Sequence, residues 1–218
     1  MTDAAALRDA VATAARRLAA AGLFIGTSGN LSARDGDRVA VTATGVTLAD
    51  CRPEQVTVVT LGGEVVTGDL VPTSELDLHL GVYADTGTAA VVHTHAPYST
   101  AAACVLDELP VLHYQQLLLG GAVRVAPYAT FGTPELAARV RDALAGRQAA
   151  LMANHGSVAV GGSLDRAVEH ALLLEWLAQL HHRASALGTP RQLTDEQQAA
   201  VVEEAVRRRY GTPQENPA

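Results

Sequence analysis

Two histidines, His93 and His95, stand two residues apart in the segment VVHTHAPYST, behind a pair of valines. The valines predict a strand, and residues two apart on a strand face the same side. Two neutral imidazoles on one side could bind the same metal ion, although such pairs also occur at plain surfaces. A third histidine, His155, precedes a glycine at the end of another predicted strand, where packing is the alternative role. Three imidazoles and one open coordination position are typical of catalytic zinc.

A carboxylate and a fourth histidine, Glu75 and His79, lie one helical turn apart in the segment PTSELDLH. Glu75 falls in the first turn of a predicted helix, where the helix dipole favours a negative charge. The sequence alone therefore indicates a helix-capping role for Glu75. His79 shares its helix face and could contact the same site, but a structural role is the simpler expectation.

Three short turns, GTSGN, TATG and PTSE, are built from small and hydroxyl-bearing residues at positions 26–30, 42–45 and 72–75. Such turns usually only redirect the chain, but their backbone N–H groups and hydroxyls also suit a phosphate group. The chain contains no lysine, since all 16 of its basic residues are arginine. This excludes a Schiff-base lysine and a P-loop, so carbonyl chemistry would need another electron sink, such as a metal ion.

The composition indicates one globular domain with an ample core. The chain has 218 residues, of which 48% are hydrophobic, and a formal net charge of −7. The negative charge argues against nucleic acid or an anionic membrane as the main partner. The sequence shows no signal-peptide pattern and no apolar run long enough for a membrane span, so we expect a cytoplasmic protein.

The pattern of apolar and turn residues predicts mixed helices and strands that must position these side chains. We expect an α/β sandwich of one domain over residues 1–210, followed by a polar tail over 211–218. Predicted helices cover 4–21, a segment from Thr73 or Ser74, a segment from Pro97, 134–145, 164–186 and 194–209. Predicted strands lie on both sides of an Asp-Gly turn at 35–36 and of Gly62-Gly63, and in 89–95, 122–129 and 149–160.

In their order, these motifs resemble the class II aldolase/adducin superfamily, and within it the L-fuculose-1-phosphate aldolases. The resemblance covers nearly the whole chain. It implies an α/β sandwich with a central antiparallel sheet, assembled as a homotetramer with sites between subunits. The motifs that carry it are GTSGNLSAR, TATG, PTSELDLH, VVHTHAPYSTA, HY, APYATFGTPEL, NHG and RRRYG.

The resemblance implies a zinc-dependent aldolase that cleaves a ketose 1-phosphate, such as L-fuculose 1-phosphate, to dihydroxyacetone phosphate and an aldehyde. One Zn²⁺ per chain would be held by His93, His95 and His155, with Glu75 as a further ligand and as the catalytic base. Tyr114 would act as the acid near the aldehyde oxygen.

The same resemblance implies where the two ends of the substrate bind. The aldehyde end would be shaped by Thr27, Phe131 and the C-terminal Tyr210. The phosphate would lie among the hydroxyl-bearing turns, at Gly29, Asn30, Thr44, Gly45, Thr73 and Ser74.

Three alternatives stay open. An L-ribulose-5-phosphate 4-epimerase would use an additional acidic residue after the HxH strand, and no Asp or Glu occurs between Glu108 and Glu135. A related aldolase, for methylthioribulose phosphate or deoxypentulose phosphate, is the second alternative. The adducin branch contains non-enzymatic interaction proteins that lack the metal histidines, so the three histidines present here argue against it.

Overall fold

The computed structural model describes residues 3–211, and a mostly antiparallel sheet forms its centre. Within that range the strand order is β4-β3-β2-β1-β5-β9-β8-β7-β6, and β7 and β8 run parallel whereas the other neighbours run antiparallel. The expected α/β fold with a central antiparallel sheet is thus confirmed, with one parallel pair added. The strands are β1 (Asn30–Asp35), β2 (Arg38–Thr42), β3 (Val56–Thr60), β4 (Val65–Thr67), β5 (Ala90–Thr94), β6 (Glu108–Leu109), β7 (Val123–Ala126), β8 (Ala149–Met152) and β9 (Gly156–Gly161).

Helices cover both faces of the sheet, because successive strand residues point to opposite sides. In β5, Val92 packs with α1, α3 and α5 in one core, whereas Val91 packs with α2 and α4 in the other. None of the helices within residues 3–211 has the length and apolar character that a membrane span requires. The helices are α1 (Ala4–Ala20), α2 (Leu76–Asp85), α3 (Pro97–Ala103), α4 (Pro134–Leu144), α5 (Leu164–Leu187) and α6 (Asp195–Arg208).

The segment 149–160, predicted as a single strand, forms two strands joined by a tight turn. Met152 of β8 pairs with Gly156 of β9, and His155 lies in the turn between them. Asn154 adopts φ +55°, a left-handed conformation that asparagine tolerates better than most residues, and this closes the turn. His155 is therefore a turn residue rather than the last residue of a strand.

The three central strands, β1, β5 and β9, each have one terminus at the same edge of the sheet, meaning the border formed by strand ends rather than an outer strand. Asn30 begins β1 directly opposite His93 near the end of β5, and Ser157 of β9 pairs with Thr94. Because neighbouring strands are antiparallel, the start of β1, the end of β5 and the start of β9 meet at this edge.

Residues 212–218 of the predicted tail lie outside the described residues, and the domain boundary at 210 remains a prediction.

Candidate metal centre and active site

The three predicted metal histidines converge at this edge of the sheet. His93 is the penultimate residue of β5, His95 lies one residue beyond the strand, and His155 lies in the β8–β9 turn. One ligand nitrogen from each ring lies within 4.8 Å of the others, and the ring centroids are 4.8–4.9 Å apart with the rings edge to face. The sheet thus brings His155 next to two histidines that precede it by 60 and 62 positions in the sequence.

The proton positions on these rings favour a metal ion. His93 Nδ1 lies 3.0 Å from the carbonyl oxygen of Ser157, which can only accept, so Nδ1 carries a proton and Nε2 is the nitrogen that can bind a cation. That Nε2 lies 3.0 Å from His95 Nε2 and 3.1 Å from Glu75 Oε2. Several electron-pair donors facing one another need a cation among them, which a divalent metal supplies.

The pKa values of the three histidines fit the same conclusion. Burial, and then interaction with His93, lowers the pKa of His95 and of His155 to about 4, so both are neutral ligands at pH 7. Burial also lowers the pKa of His93, but the Glu75 carboxylate outweighs it and leaves this pKa raised. A positive charge at His93 Nε2, whether a proton or a metal ion, is therefore favoured by Glu75.

Glu75 turns its carboxylate into this cluster rather than capping α2. Its side chain makes no capping hydrogen bond, and its own backbone N–H donates to Thr73 Oγ1, so the capping interpretation is wrong. Oε2 accepts from Asn30 Nδ2 at 2.9 Å, while the buried Oε1 lies 3.6 Å from His155 Nε2 with no hydrogen-bond donor. A buried carboxylate oxygen without a donor fits a site built for a cation or for a substrate proton.

The protonation state of Glu75 suits a general base. Burial raises the pKa of the carboxyl group, but the charge of His93 and the hydrogen bonds from His93 and Asn30 outweigh it and leave the pKa below its ordinary value. The group is therefore ionised at neutral pH, which is the state that a general base must have before it takes up a proton.

Removal of one imidazole should release the metal. We expect His95→Ala to lose most of its bound metal, because two imidazoles and a carboxylate leave too few strong ligands. The surface variant His182→Ala, on α5, serves as the control for loss of an imidazole. Metal content per chain and thermal unfolding of both variants are the measurements. Full metal content in His95→Ala would contradict the assignment of His95 as a ligand.

A cavity of about 530 Å³ opens beside the cluster and collects the predicted substrate-binding residues. It also contains five residues that were not predicted as binding residues. Tyr128 lies near Phe131 in the motif APYATFG, and Ser28 and Ala43 lie inside two of the three predicted phosphate turns, so their motifs could have indicated them. The predicted residues along its wall are Thr27, Gly29, Asn30, Thr44, Gly45, Thr73, Ser74 and Phe131, with Glu75, His95 and His155; the additional ones are Ser28, Ala43, Tyr128, Ala129 and Asn154.

Two glycines permit the close approach of backbone around the cluster. Gly29 has φ +88°, and a Cβ there would lie 2.6 Å from the Phe24 ring and 2.9 Å from the His93 carbonyl oxygen. At Gly156 a Cβ would collide with the carbonyl oxygen of Thr94. Both positions therefore require glycine for β1 and β9 to pack against the histidine-bearing end of β5.

Comparison with known proteins agrees with this geometry. Residues 9–182 match the family described as Class II Aldolase and Adducin N-terminal domain, which is well over half of the chain. The protein belongs to this family. The prediction of a class II aldolase fold and enzyme class is thereby confirmed.

Individual relatives of this class II aldolase differ in their named substrates. It is 39% identical over 200 residues, 91% of this chain and 90% of the other, to a Rhodospirillum rubrum protein named 5-methylthioribulose-1-phosphate/5-deoxyribulose-1-phosphate aldolase. A Bacillus thuringiensis protein named 5-deoxy-D-ribulose 1-phosphate aldolase is 35% identical over 193 residues, 87% of this chain and 91% of the other. A solved structure named L-fuculose 1-phosphate aldolase superposes with a TM-score of 0.87 at 34% identity, covering 91% of this chain and 95% of the other.

Two predicted catalytic tyrosines of this class II aldolase lie outside the cavity. Tyr114 begins a short 3₁₀ helix, Tyr114–Leu119, and its hydroxyl lies 3.2 Å from that of Tyr210 beyond α6. The two rings line a separate apolar groove of about 500 Å³, together with Leu118 and Val206. Tyr114 is 41% exposed and is therefore not a buried core aromatic. Within one chain, Tyr114 contacts Tyr210 and lines a different cavity from Glu75, His95 and His155.

The sequence reasoning missed two members of the site and undervalued a third. His79 is fully buried and bonds to Asn30, while Ser32 and Tyr83 extend the same buried network. The signal was present: Glu75, His79 and Tyr83 recur every four residues on α2, and Asn30 and Ser32 lie two apart on β1.

Proposed function

We propose that this protein is a zinc-dependent aldolase that cleaves a ketose 1-phosphate between C3 and C4, giving dihydroxyacetone phosphate and a short aldehyde. One Zn²⁺ per chain would be held by His93, His95 and His155, with Glu75 beside them. The observation that carries the proposal is Glu75. It is an ionised, buried carboxylate at the cavity wall, and it has one unpartnered oxygen beside a cluster of three histidines that could hold a metal ion.

In the condensation direction, the proposed mechanism divides the proton transfers between two residues. Glu75 takes the carbon-bound proton of dihydroxyacetone phosphate, which requires a base within hydrogen-bond reach of that carbon. Tyr114 donates its hydroxyl proton to the aldehyde oxygen as the carbon–carbon bond forms, and cleavage reverses both transfers. When bound, the metal ion supplies a Lewis acid for the oxygens of the substrate, a role that no lysine can take in a chain without lysine.

The phosphate group is proposed to bind at the turns of the cavity wall. Gly29 and Gly45 have φ values of +88° and +73°, a backbone conformation that can turn successive N–H groups towards one anion. Hydroxyls of Thr44, Thr73 and Ser74 line the same cavity. The cavity residues named above include no arginine, so hydroxyl and backbone N–H groups would carry the binding of the phosphate.

The preferred substrate is proposed to be a 5-deoxypentulose or 5-methylthiopentulose 1-phosphate, with L-fuculose 1-phosphate as the second candidate. The relatives from Rhodospirillum rubrum and Bacillus thuringiensis support the first choice by their names. The fuculose aldolase motifs and the structural likeness support the second. Cleavage of 5-deoxyribulose 1-phosphate between C3 and C4 releases acetaldehyde, whereas L-fuculose 1-phosphate releases lactaldehyde.

A substrate panel tests this function directly. We expect release of dihydroxyacetone phosphate from 5-deoxyribulose 1-phosphate, L-fuculose 1-phosphate or both. Chelation of the metal should abolish that activity, and addition of Zn²⁺ should restore it. L-ribulose 5-phosphate serves as the substrate for the epimerase alternative. Epimerisation without cleavage would overturn the aldolase proposal. A protein that binds no stoichiometric metal and turns over none of these sugars would instead fit the adducin alternative.

The site is further proposed to be completed by a second copy of the chain in a homotetramer. Tyr114 and Tyr210 are assigned to the aldehyde end, yet they line a groove separate from the cavity of Glu75 in the same chain. The exposed side chains of Leu118, Val202 and Val206 beside them support burial of this surface in an assembly.

A further inference from the structure

A row of buried polar side chains runs from Glu75 into the interior between β1 and α2. Asn30 Nδ2 lies 2.9 Å from Glu75 Oε2, and Asn30 Oδ1 lies 2.6 Å from His79 Nε2. His79 Nδ1 lies 2.7 Å from Ser32 Oγ, which lies 2.7 Å from the Tyr83 hydroxyl. All five side chains are buried, so these polar groups depend on one another for hydrogen bonds.

The chemistry of each group fixes the direction of these hydrogen bonds. An ionised carboxylate only accepts, so the amide nitrogen of Asn30 must face Glu75 and its oxygen must face His79. The amide oxygen also only accepts, so His79 Nε2 must carry the proton.

The remaining two bonds follow from the neutral state of the imidazole. Burial lowers the pKa of His79 to about 3, so the ring carries a single proton at neutral pH. With that proton on Nε2, Nδ1 must accept from the Ser32 hydroxyl, and Ser32 Oγ must accept from the hydroxyl of Tyr83. Every donor in the row therefore points towards Glu75.

We infer that His79 is a positioning residue of this active site, which holds the Asn30 amide in the orientation that donates to Glu75 Oε2. Ser32 and Tyr83 in turn hold the His79 ring in the required tautomer. The consequence for the chemistry rests on the proposed function, because it takes Glu75 as the base. With Oε2 engaged by Asn30, Oε1 is the carboxylate oxygen left without a donor.

The first experiment observes the tautomer of His79 without any assay of activity. In the zinc-loaded protein, ¹⁵N NMR of the histidine side chains should show His79 neutral at pH 7, with the proton on Nε2 and a bare Nδ1. The signal is assigned by its absence from His79→Gln. A proton on Nδ1 instead would overturn the inference, whatever the enzyme turns over.

The second experiment compares two substitutions of similar size. The amide of His79→Gln can still donate to Asn30 Oδ1, whereas His79→Leu offers no donor. We expect His79→Leu to lower the rate of proton exchange on dihydroxyacetone phosphate by roughly 10- to 100-fold, the range of a lost hydrogen bond to a charged group. His79→Gln should recover most of that loss at an unchanged metal content.

A matched control separates positioning from stability. His170 is a buried histidine on α5, whose ring bonds to the Val160 carbonyl oxygen away from the cavity. His170→Leu should lower thermal stability without changing the exchange rate at saturating substrate. Equal losses of exchange rate in His170→Leu and His79→Leu would contradict a specific role for His79.

A double-mutant cycle tests whether His79 acts through Asn30. In an Asn30→Ala background, a further His79→Leu change should alter the exchange rate little, because the amide that His79 orients is already absent. Independent, additive losses would overturn the inference. If the wild-type protein exchanges no proton on dihydroxyacetone phosphate, the proposed function fails, and the NMR measurement still decides the arrangement of His79.

Discussion

The substitution Glu75→Gln should lower proton exchange between dihydroxyacetone phosphate and solvent by roughly 10²- to 10⁴-fold, the usual effect of losing a general base. The amide keeps the shape of the side chain but cannot take up a proton. In the wild type the carboxylate is ionised, because the interaction with His93 and the hydrogen bonds from His93 and Asn30 keep its pKa below the ordinary value. Its unpartnered Oε1 leaves a free position for the incoming proton.

The loss should occur at nearly unchanged metal content, because His93, His95 and His155 remain as ligands. Exchange measured by ¹H NMR in deuterated solvent, together with the metal content per chain, gives both quantities from one preparation. Glu54→Gln, at an exposed position that does not line the cavity, is the matched control for the same chemical change. Exchange near the wild-type rate in Glu75→Gln would show that Glu75 serves the metal site only.

Local sequence signals predicted most of the individual elements. Both predicted hairpins form, as their composition indicated. Gly62-Gly63 lies between β3 and β4, and the turn between β1 and β2 lies at Gly36-Asp37, one residue later than predicted. Pro134 begins α4 behind a Thr133 side chain that caps it, and Pro97 begins α3. These predictions succeeded because the information lies within a few residues of each turn or helix end.

The sequence did not indicate the pairings between distant segments. The placement of β5 between β1 and β9 sets Asn30 opposite His93, and nothing near either residue records this. The capping interpretation of Glu75 failed for the same reason, because it rested on helix position alone while the actual partners lie on other strands. His79 was likewise expected to have a purely structural role, since its partner Asn30 is 49 positions away in the sequence.

Tyr114→Phe should separate the two halves of the reaction. The ring and its packing remain, and the hydroxyl is assigned to the aldehyde oxygen rather than to the proton of dihydroxyacetone phosphate. We therefore expect near-normal proton exchange but a steep loss of sugar phosphate cleavage, with Tyr98→Phe as the hydroxyl-loss control. Parallel loss of both activities would contradict this division of roles, and normal cleavage would remove Tyr114 from the mechanism.

The same variant tests whether two chains form each site. Tyr114 and Glu75 line separate cavities within one chain, so a site that uses both requires that they come from different copies. Tyr114→Phe and Glu75→Gln are each expected to cleave poorly alone. Co-expressed in equal amounts, they should assemble sites in which one copy supplies the intact glutamate and its neighbour the intact tyrosine. Random mixing makes roughly a quarter of the sites complete, so roughly a quarter of wild-type cleavage should return. If the mixture cleaves no better than the average of the two variants, each site would belong to one chain, and Tyr114 would have to reach Glu75 by rearrangement of the 3₁₀ helix that carries it.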